Sequence, residues 1–193
     1  MTSYTILEPD EAQASAILQA FPRMADLPEP LRSQAVVAWH SMVASSAYPR
    51  LAEVPFSQGC PDTLVDHTND VVEAGLALAD VAERRWALKV DRTRLLAILL
   101  LHDLDKPLLS TGHGDTYAPT PVAARIPHGV LAGLMLAQLG VEEAIVAAVA
   151  THATHAPLRG PEPEVLILHY ADLFAADHLI SQTPRMPFFR LCR

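Results

Sequence analysis

Apolar residues recur along this chain at spacings of three and four, the pattern of helices that turn one face toward a core. Helices are predicted over 10–21 and 29–46, separated by the Pro-bearing "PRMADLPEP", and then over 62–85, 91–102, 127–139, 141–154 and 163–181. Asp91 stands where an N-cap belongs. Sixteen prolines punctuate the pattern. Asn-Gly and Asp-Gly, the pairs that mark tight hairpins, do not occur, and no strand is predicted. The expected fold class is therefore all-α, a bundle of about seven helices. Between 107 and 127 the stretch "PLLSTGHGDTYAPTPVAARIP" is rich in Gly, Pro, Ser and Thr and reads as a loop long enough to cover a pocket. The tail "QTPRMPFFRLCR" is expected to pack back on the body or to form an oligomer contact, which makes a second copy of the chain a candidate partner.

Several polar residues interrupt these apolar stripes. In the third predicted helix the stripe is Leu64, Val71, Ala74, Leu78 and Val81, and His67 occupies the position between its first two members. His102 ends "LLAILLLHDLDKP", a segment apolar on all sides, and Asp103 follows it directly. His128 precedes Leu131, Ala132, Met135 and Leu139 on one side of its helix. His152 takes the next position after Val141, Ala144, Ile145, Ala148 and Val149. Asp172 lies at the centre of the face formed by Val165, Leu168, Ala175, Ala176 and Leu179.

A lone inward His commonly bonds a backbone carbonyl, and a lone buried Asp commonly caps a helix or pairs with Arg. Six such groups together are another matter. Each desolvated imidazole or carboxylate costs kilocalories unless satisfied, and few basic residues share these faces. A metal cation is the economical partner. Four imidazoles and two carboxylates suit Fe, Mn, Zn, Co or Ni, whereas Mg or Ca favours a shell of oxygen alone.

Composition narrows the function classes. With 193 residues, one domain is expected; half of the residues are hydrophobic and only 6% aromatic, the Leu, Ala, Val and Ile mixture that fills helix faces. A formal charge of −8 argues against binding a nucleic-acid polymer or an anionic membrane. Cys60 and Cys192 are too few for a disulfide framework, which fits a reducing cytoplasm. "MTSYTILEPDEAQ" has no basic-then-apolar leader pattern, and the longest apolar candidate, 129–149, is interrupted by Glu142 and Glu143.

The order His67, His102-Asp103, His128, His152, Asp172, with the wording "LLHDLDKP", "PHGVLAG", "AVATH" and "LHYADLFAAD", resembles the HD superfamily of metal-dependent phosphohydrolases over about residues 60–182. The local wording is similar in particular to the branch that hydrolyses dinucleoside tetraphosphates, although "LFAADHLIS" lacks the acidic and arginine-bearing residues that follow the last Asp in that branch. The resemblance implies an N-terminal helical extension over 1–59, an HD-type helical domain over 60–182 and a C-terminal tail over 183–193. It implies one metal on His67, His102, Asp103 and Asp172, and a second on His128 and His152 with Asp103 bridging. Two divalent transition-metal ions, Fe or Mn foremost, would then activate water against a phosphoester or phosphoanhydride bond of a small molecule or nucleotide.

Asp103, Lys106 and His155 are the expected catalytic residues, with Lys106 placed to hold phosphate or assist the leaving oxygen. Arg125 and Arg159 are further candidate phosphate donors on the pocket loops. Asp105 is expected to be a solvated or capping carboxylate, Asp177 an exposed one. His113 is a loop residue that either lines the pocket or has no role, His169 is expected to bond a neighbour, and His40 and His178 to be structural or solvated. Arg84, Arg85, Lys89, Arg92 and Arg94 read as a solvated helix end. The competing function is that of an HD-fold diiron oxygenase resembling myo-inositol oxygenase, acting on a polyol or phosphonate. A non-catalytic sensor or scaffold that keeps the metal cage is the third.

Overall fold

The structure is a computed structural model that describes residues 3–153, 156 and 160–191. Two N-terminal helices, α1 (Glu11–Ala20) and α2 (Leu31–Ala44), precede the long α3 (Leu64–Trp86) and the shorter α4 (Arg92–Leu101). Three of these four starts are written in the sequence. Asp10, Thr63 and Asp91 accept hydrogen bonds from the backbone N–H three residues ahead, and Gln13 and Asp66 return the bond for the first two, closing capping boxes. After α4 come a four-residue helix, α5 (Lys106–Leu109), and then α6 (Val130–Gln138), α7 (Glu143–Thr151), α8 (Pro163–Ser181) and a short α9 (Phe188–Leu191).

All of Leu95 through Leu101 is buried, so α4 is the axis of the fold, with α2, α3, α7 and α8 packed around it. The apolar run that ends in His102 is therefore interior on every side. The N-terminal helices share this core: Trp39 is fully buried, stacks on Phe21 with ring centroids 4.8 Å apart, and donates its indole N–H to the Leu100 carbonyl at 3.2 Å.

Helix α3 is rotated from its expected face. Beyond Val71 its buried residues are Val72, Gly75, Ala79 and Ala82, while Leu78 and Val81 stand outside. Gly75 explains the rotation, because a Cβ there would lie 2.6 Å from Leu99 Cδ1. The small face of α3 lets it approach α4 closely, and the larger residues are left to solvent. With Trp86, Leu166, Tyr170 and Phe174, Leu78 and Val81 line an outer apolar groove of about 600 Å³ between α3 and α8.

The 107–127 region is not a plain loop. It opens with α5 and folds into a two-residue hairpin, β1 (Ser110–Thr111) against β2 (Ala118–Pro119), with Ser110 opposite Pro119. Strands this short carry no readable alternation. Tyr48 fastens the hairpin from the N-terminal side through Ser110 Oγ at 3.0 Å and the Gly112 carbonyl at 3.2 Å. The C-terminal tail packs back on the body: Phe188 lies against a cluster of Phe56, Ala176, Leu179 and Ile180. Asp177, expected to be exposed, accepts the backbone N–H groups of Phe188 and Phe189 and so ties α9 to α8. Arg92, expected in a solvated run, bridges Asp80 and Glu83 at 2.6 Å each. Among the described residues no helix is long and apolar enough to cross a membrane.

Candidate metal centre

Five helix ends or faces converge on one point. His67 enters from the first turn of α3, His102 and Asp103 from the turn that ends α4, His128 from the turn before α6, His152 from the end of α7, and Asp172 from the middle of α8. Their donor atoms form two sets, His67, His102 and Asp172 in one and Asp103, His128 and His152 in the other, each within 4.8 Å. His67 Nε2 lies 3.2 Å from Asp172 Oδ1 and 3.4 Å from His102 Nε2. His152 Nε2 lies 3.1 Å from His128 Nε2, and His128 Nε2 lies 2.9 Å from Asp103 Oδ1.

Asp103 spans the two sets. Its Oδ2 is 3.3 Å from His67 Nε2 and 3.4 Å from His102 Nε2, while its Oδ1 faces His128 and, at 3.6 Å, His152.

Hydrogen bonding at the far side of three of the four rings orients the nitrogens that face inward. His102 Nδ1 donates to the Leu99 carbonyl at 2.8 Å, His152 Nδ1 to the Val149 carbonyl at 2.7 Å, and His128 Nδ1 to Asp105 Oδ1 at 2.7 Å. A carbonyl only accepts, so the His102 and His152 rings, when neutral, turn an Nε2 lone pair into the centre, and His128 does so once its second proton leaves. Lone pairs that face lone pairs and carboxylate oxygens at this range repel unless a positive charge lies among them. The spacing also matches coordination, since donors about 2.1 Å from one cation lie roughly 3.0 to 3.4 Å apart at the corners of an octahedron or tetrahedron. The donor set fits a transition metal at both positions.

The charges agree. Burial raises the carboxyl of Asp103, but the Lys106 ammonium at 2.7 Å together with His102 and His128 outweighs it and holds that group well below the usual carboxylate range. For Asp172 burial is likewise outweighed, here by the hydrogen bond from His67 together with the charges of His102 and His67, and the carboxyl is lowered. Burial pulls His128 down, yet its hydrogen bonds to Asp103 and Asp105 prevail and push it up to about 10. In His102 burial is outweighed by the charge and hydrogen bond of Asp103 together with Asp172 and the Leu99 carbonyl, and the ring is raised. Burial dominates at His152 and lowers it. Metal-free, the centre therefore keeps its acids ionised and holds a proton on His128 where a cation can displace it.

Asp105 corrects the sequence expectation. It is fully buried, accepts from His128 Nδ1, and takes the Gly129 N–H on its other oxygen at 2.8 Å. Lys106, at the start of α5, lies over the Phe56 ring at 4.0 Å from its centroid, and that ring stacks on His67 with centroids also 4.0 Å apart. Phe56, Lys106, Arg185 and Phe188 join the metal-facing residues around a cavity of about 150 Å³. Phe56 and Arg185 have no sequence signal, since both lie in aperiodic, Pro-bearing segments.

Other candidates fall away from the centre. Arg125 is exposed and bonds the Pro121 carbonyl at 3.3 Å, and His113 is exposed with its ring edge toward Tyr48. His169 lies on α8 beside Tyr170. His155 and Arg159 lie outside the described residues.

The sequence profile of the HD domain family matches residues 64–177, more than half of the chain. The chain belongs to the HD domain family. Over 110 residues it is 32% identical to the dihydroneopterin 2',3'-cyclic phosphate phosphodiesterase of Methanocaldococcus jannaschii, a match that covers 56% of this chain and 44% of that protein. The chain thus spans under half the length of that relative. No solved structure matches the chain. Membership in the HD family accords with the two His/Asp donor sets, which could each hold a metal ion.

Proposed function

We propose that this protein is a two-metal phosphohydrolase that cleaves a phosphoester or phosphoanhydride bond in a small phosphorylated molecule, with water as the attacking group. One observation carries the reading: Asp103 presents one carboxylate oxygen to each of two histidine-rich donor sets, with Lys106 Nζ 2.7 Å from it at the cavity wall. His67, His102 and Asp172 would hold one cation, His128 and His152 the other, and Asp103 both. When bound, the cations would lower the pKa of a shared water and offset charge on the phosphoryl oxygens. Fe or Mn are favoured by the mixed nitrogen and oxygen donors, with Zn, Co or Ni as alternatives.

The chain's own groups do the rest. The Leu99 and Val149 carbonyls and Asp105 fix which nitrogen of His102, His152 and His128 faces inward, so three of the four imidazoles are oriented before substrate arrives. Among the described residues Lys106 is the one ammonium beside the centre, and it is placed to hold a phosphate oxygen, most strongly as negative charge builds on it. Phe56 covers His67 and Lys106, and keeps water from that side. The relative's phosphodiester chemistry favours hydrolysis over the oxygenase reading, and a cyclic phosphate is a sensible first substrate to assay. The test is parallel measurement of phosphoester hydrolysis and oxygen uptake on metal-loaded protein. Hydrolysis without oxygen uptake supports the proposal; oxygen uptake with a polyol or phosphonate, and no hydrolysis, overturns it.

A further inference from the structure

The segment between α8 and α9 brings Arg185 to the wall of the metal-facing cavity. Its Nη1 donates to Ser57 Oγ at 2.5 Å and to the Gln58 carbonyl at 3.5 Å, both neutral acceptors. Among the described residues no carboxylate pairs with it. Arg23, Arg32, Arg50, Arg92 and Arg94 behave differently, each forming an ion pair with Asp or Glu. Arg84, Arg85, Arg125 and Arg190 also form no ion pair among the described residues, but none of them lines this cavity; what distinguishes Arg185 is a guanidinium with only neutral acceptors at the wall beside the donor cluster.

Two more observations bear on its role. Lys106, the other long cationic side chain of this cavity, sits 2.7 Å from the Asp103 carboxylate, whereas Arg185 makes no carboxylate contact, so its guanidinium adds a second positive charge beside the one already assigned to phosphate. The backbone that carries Arg185 is also held in place: Asp177 caps Phe188 and Phe189, and Phe188 packs beside Phe56. A planar fork of donors held at a cavity rim matches two phosphate oxygens at once.

We propose that Arg185 is a substrate-binding residue that takes non-reacting oxygens of the phosphate group, so that the C-terminal segment completes the site. The inference rests on the phosphohydrolase reading. Its rival is a purely structural one, in which Arg185 staples the tail to the 57–58 turn.

Inorganic phosphate separates the two, titrated calorimetrically into metal-loaded wild type, Arg185→Gln, Arg185→Lys and Ser57→Ala, with metal content and thermal unfolding recorded for each. Substrate binding predicts roughly ten- to hundredfold weaker phosphate binding in Arg185→Gln at unchanged metal content, with partial recovery in Arg185→Lys. It also predicts Ser57→Ala to stay within about threefold of wild type, because losing a neutral hydroxyl leaves the guanidinium charge in place. Unchanged phosphate affinity in Arg185→Gln overturns the inference. So does equal weakening in Arg185→Gln and Ser57→Ala with a matching fall in thermal stability. If wild type hydrolyses phosphoesters while Arg185→Gln is unaffected, this inference alone fails; if metal-loaded wild type neither binds phosphate nor hydrolyses any phosphoester, the hydrolase reading falls with it.

Discussion

Asp105 accepts the Nδ1–H of His128 at 2.7 Å while its second oxygen takes the Gly129 N–H, so one buried carboxylate both aims an imidazole and closes the backbone turn that carries it. Such partners behind a ligand raise its basicity and fix its orientation. Asp105→Asn keeps the volume and loses the charge. It is expected to weaken binding of the second cation by about 10- to 100-fold while sparing the first. Competitive titration with a chelating dye reads this; equal affinity at both positions would show that Asp105 does not act through His128.

Gly129 has φ of +89°, and a Cβ there would lie 2.7 Å from the Val149 carbonyl oxygen. Val149 O is the acceptor that orients His152. Gly129→Ala therefore strains the backbone and presses on a second ligand at once. A loss of about 2–3 kcal/mol of stability is expected, with weaker metal binding. Denaturant unfolding of the metal-free protein measures the first effect, and a variant as stable as wild type would contradict it.

Five of the six clustered donors are legible in the sequence because helical spacing calls for an apolar side chain at their positions, as for His67 in the stripe of α3, His102 after an apolar run and Asp172 between Leu168 and Ala175; Asp103 is placed only by its adjacency to His102. Asp105 is not legible. It falls in the turn after α4, where neither helical nor strand periodicity holds, so its burial cannot be counted from neighbours. On α3 the three-and-four pattern branches after Val71 into Ala74, Leu78 and Val81 or Gly75, Ala79 and Ala82. Hydrophobicity favours the first branch, whereas close approach to Leu99 selects the second. Asp177 and Arg185 act across a proline-broken tail whose path no local rule dictates.

His128 provides a pH signature. Its value of about 10 lies above the ordinary imidazole range, so near neutral pH the metal-free protein carries a proton that a cation must displace. Metal affinity is expected to rise as pH rises toward about 10. In the metal-free protein the sign is opposite for stability: the contribution of protonated His128 is complete below the unfolded value near 6.5 and is lost as pH climbs through about 10. Calorimetric metal titration in buffers of different ionisation enthalpy should show proton release at pH 7, and its absence would refute this assignment.

Lys106 separates binding from turnover. It touches Asp103 and the face of Phe56 but belongs to neither donor set. Lys106→Ala is expected to retain metal and to lose roughly 100- to 1000-fold in kcat. Metal analysis beside steady-state kinetics checks both halves, and a variant that loses its metal would reassign the lysine to the integrity of the centre.

The most direct measurement is the metal content of anaerobically purified protein, compared between wild type, His102→Ala and Asp103→Ala. Convergence of these side chains on shared cations predicts a transition metal at up to two equivalents in wild type, with both variants folded but stripped of metal and inactive. Full metal content in Asp103→Ala would contradict the bridging role from which the proposed chemistry follows.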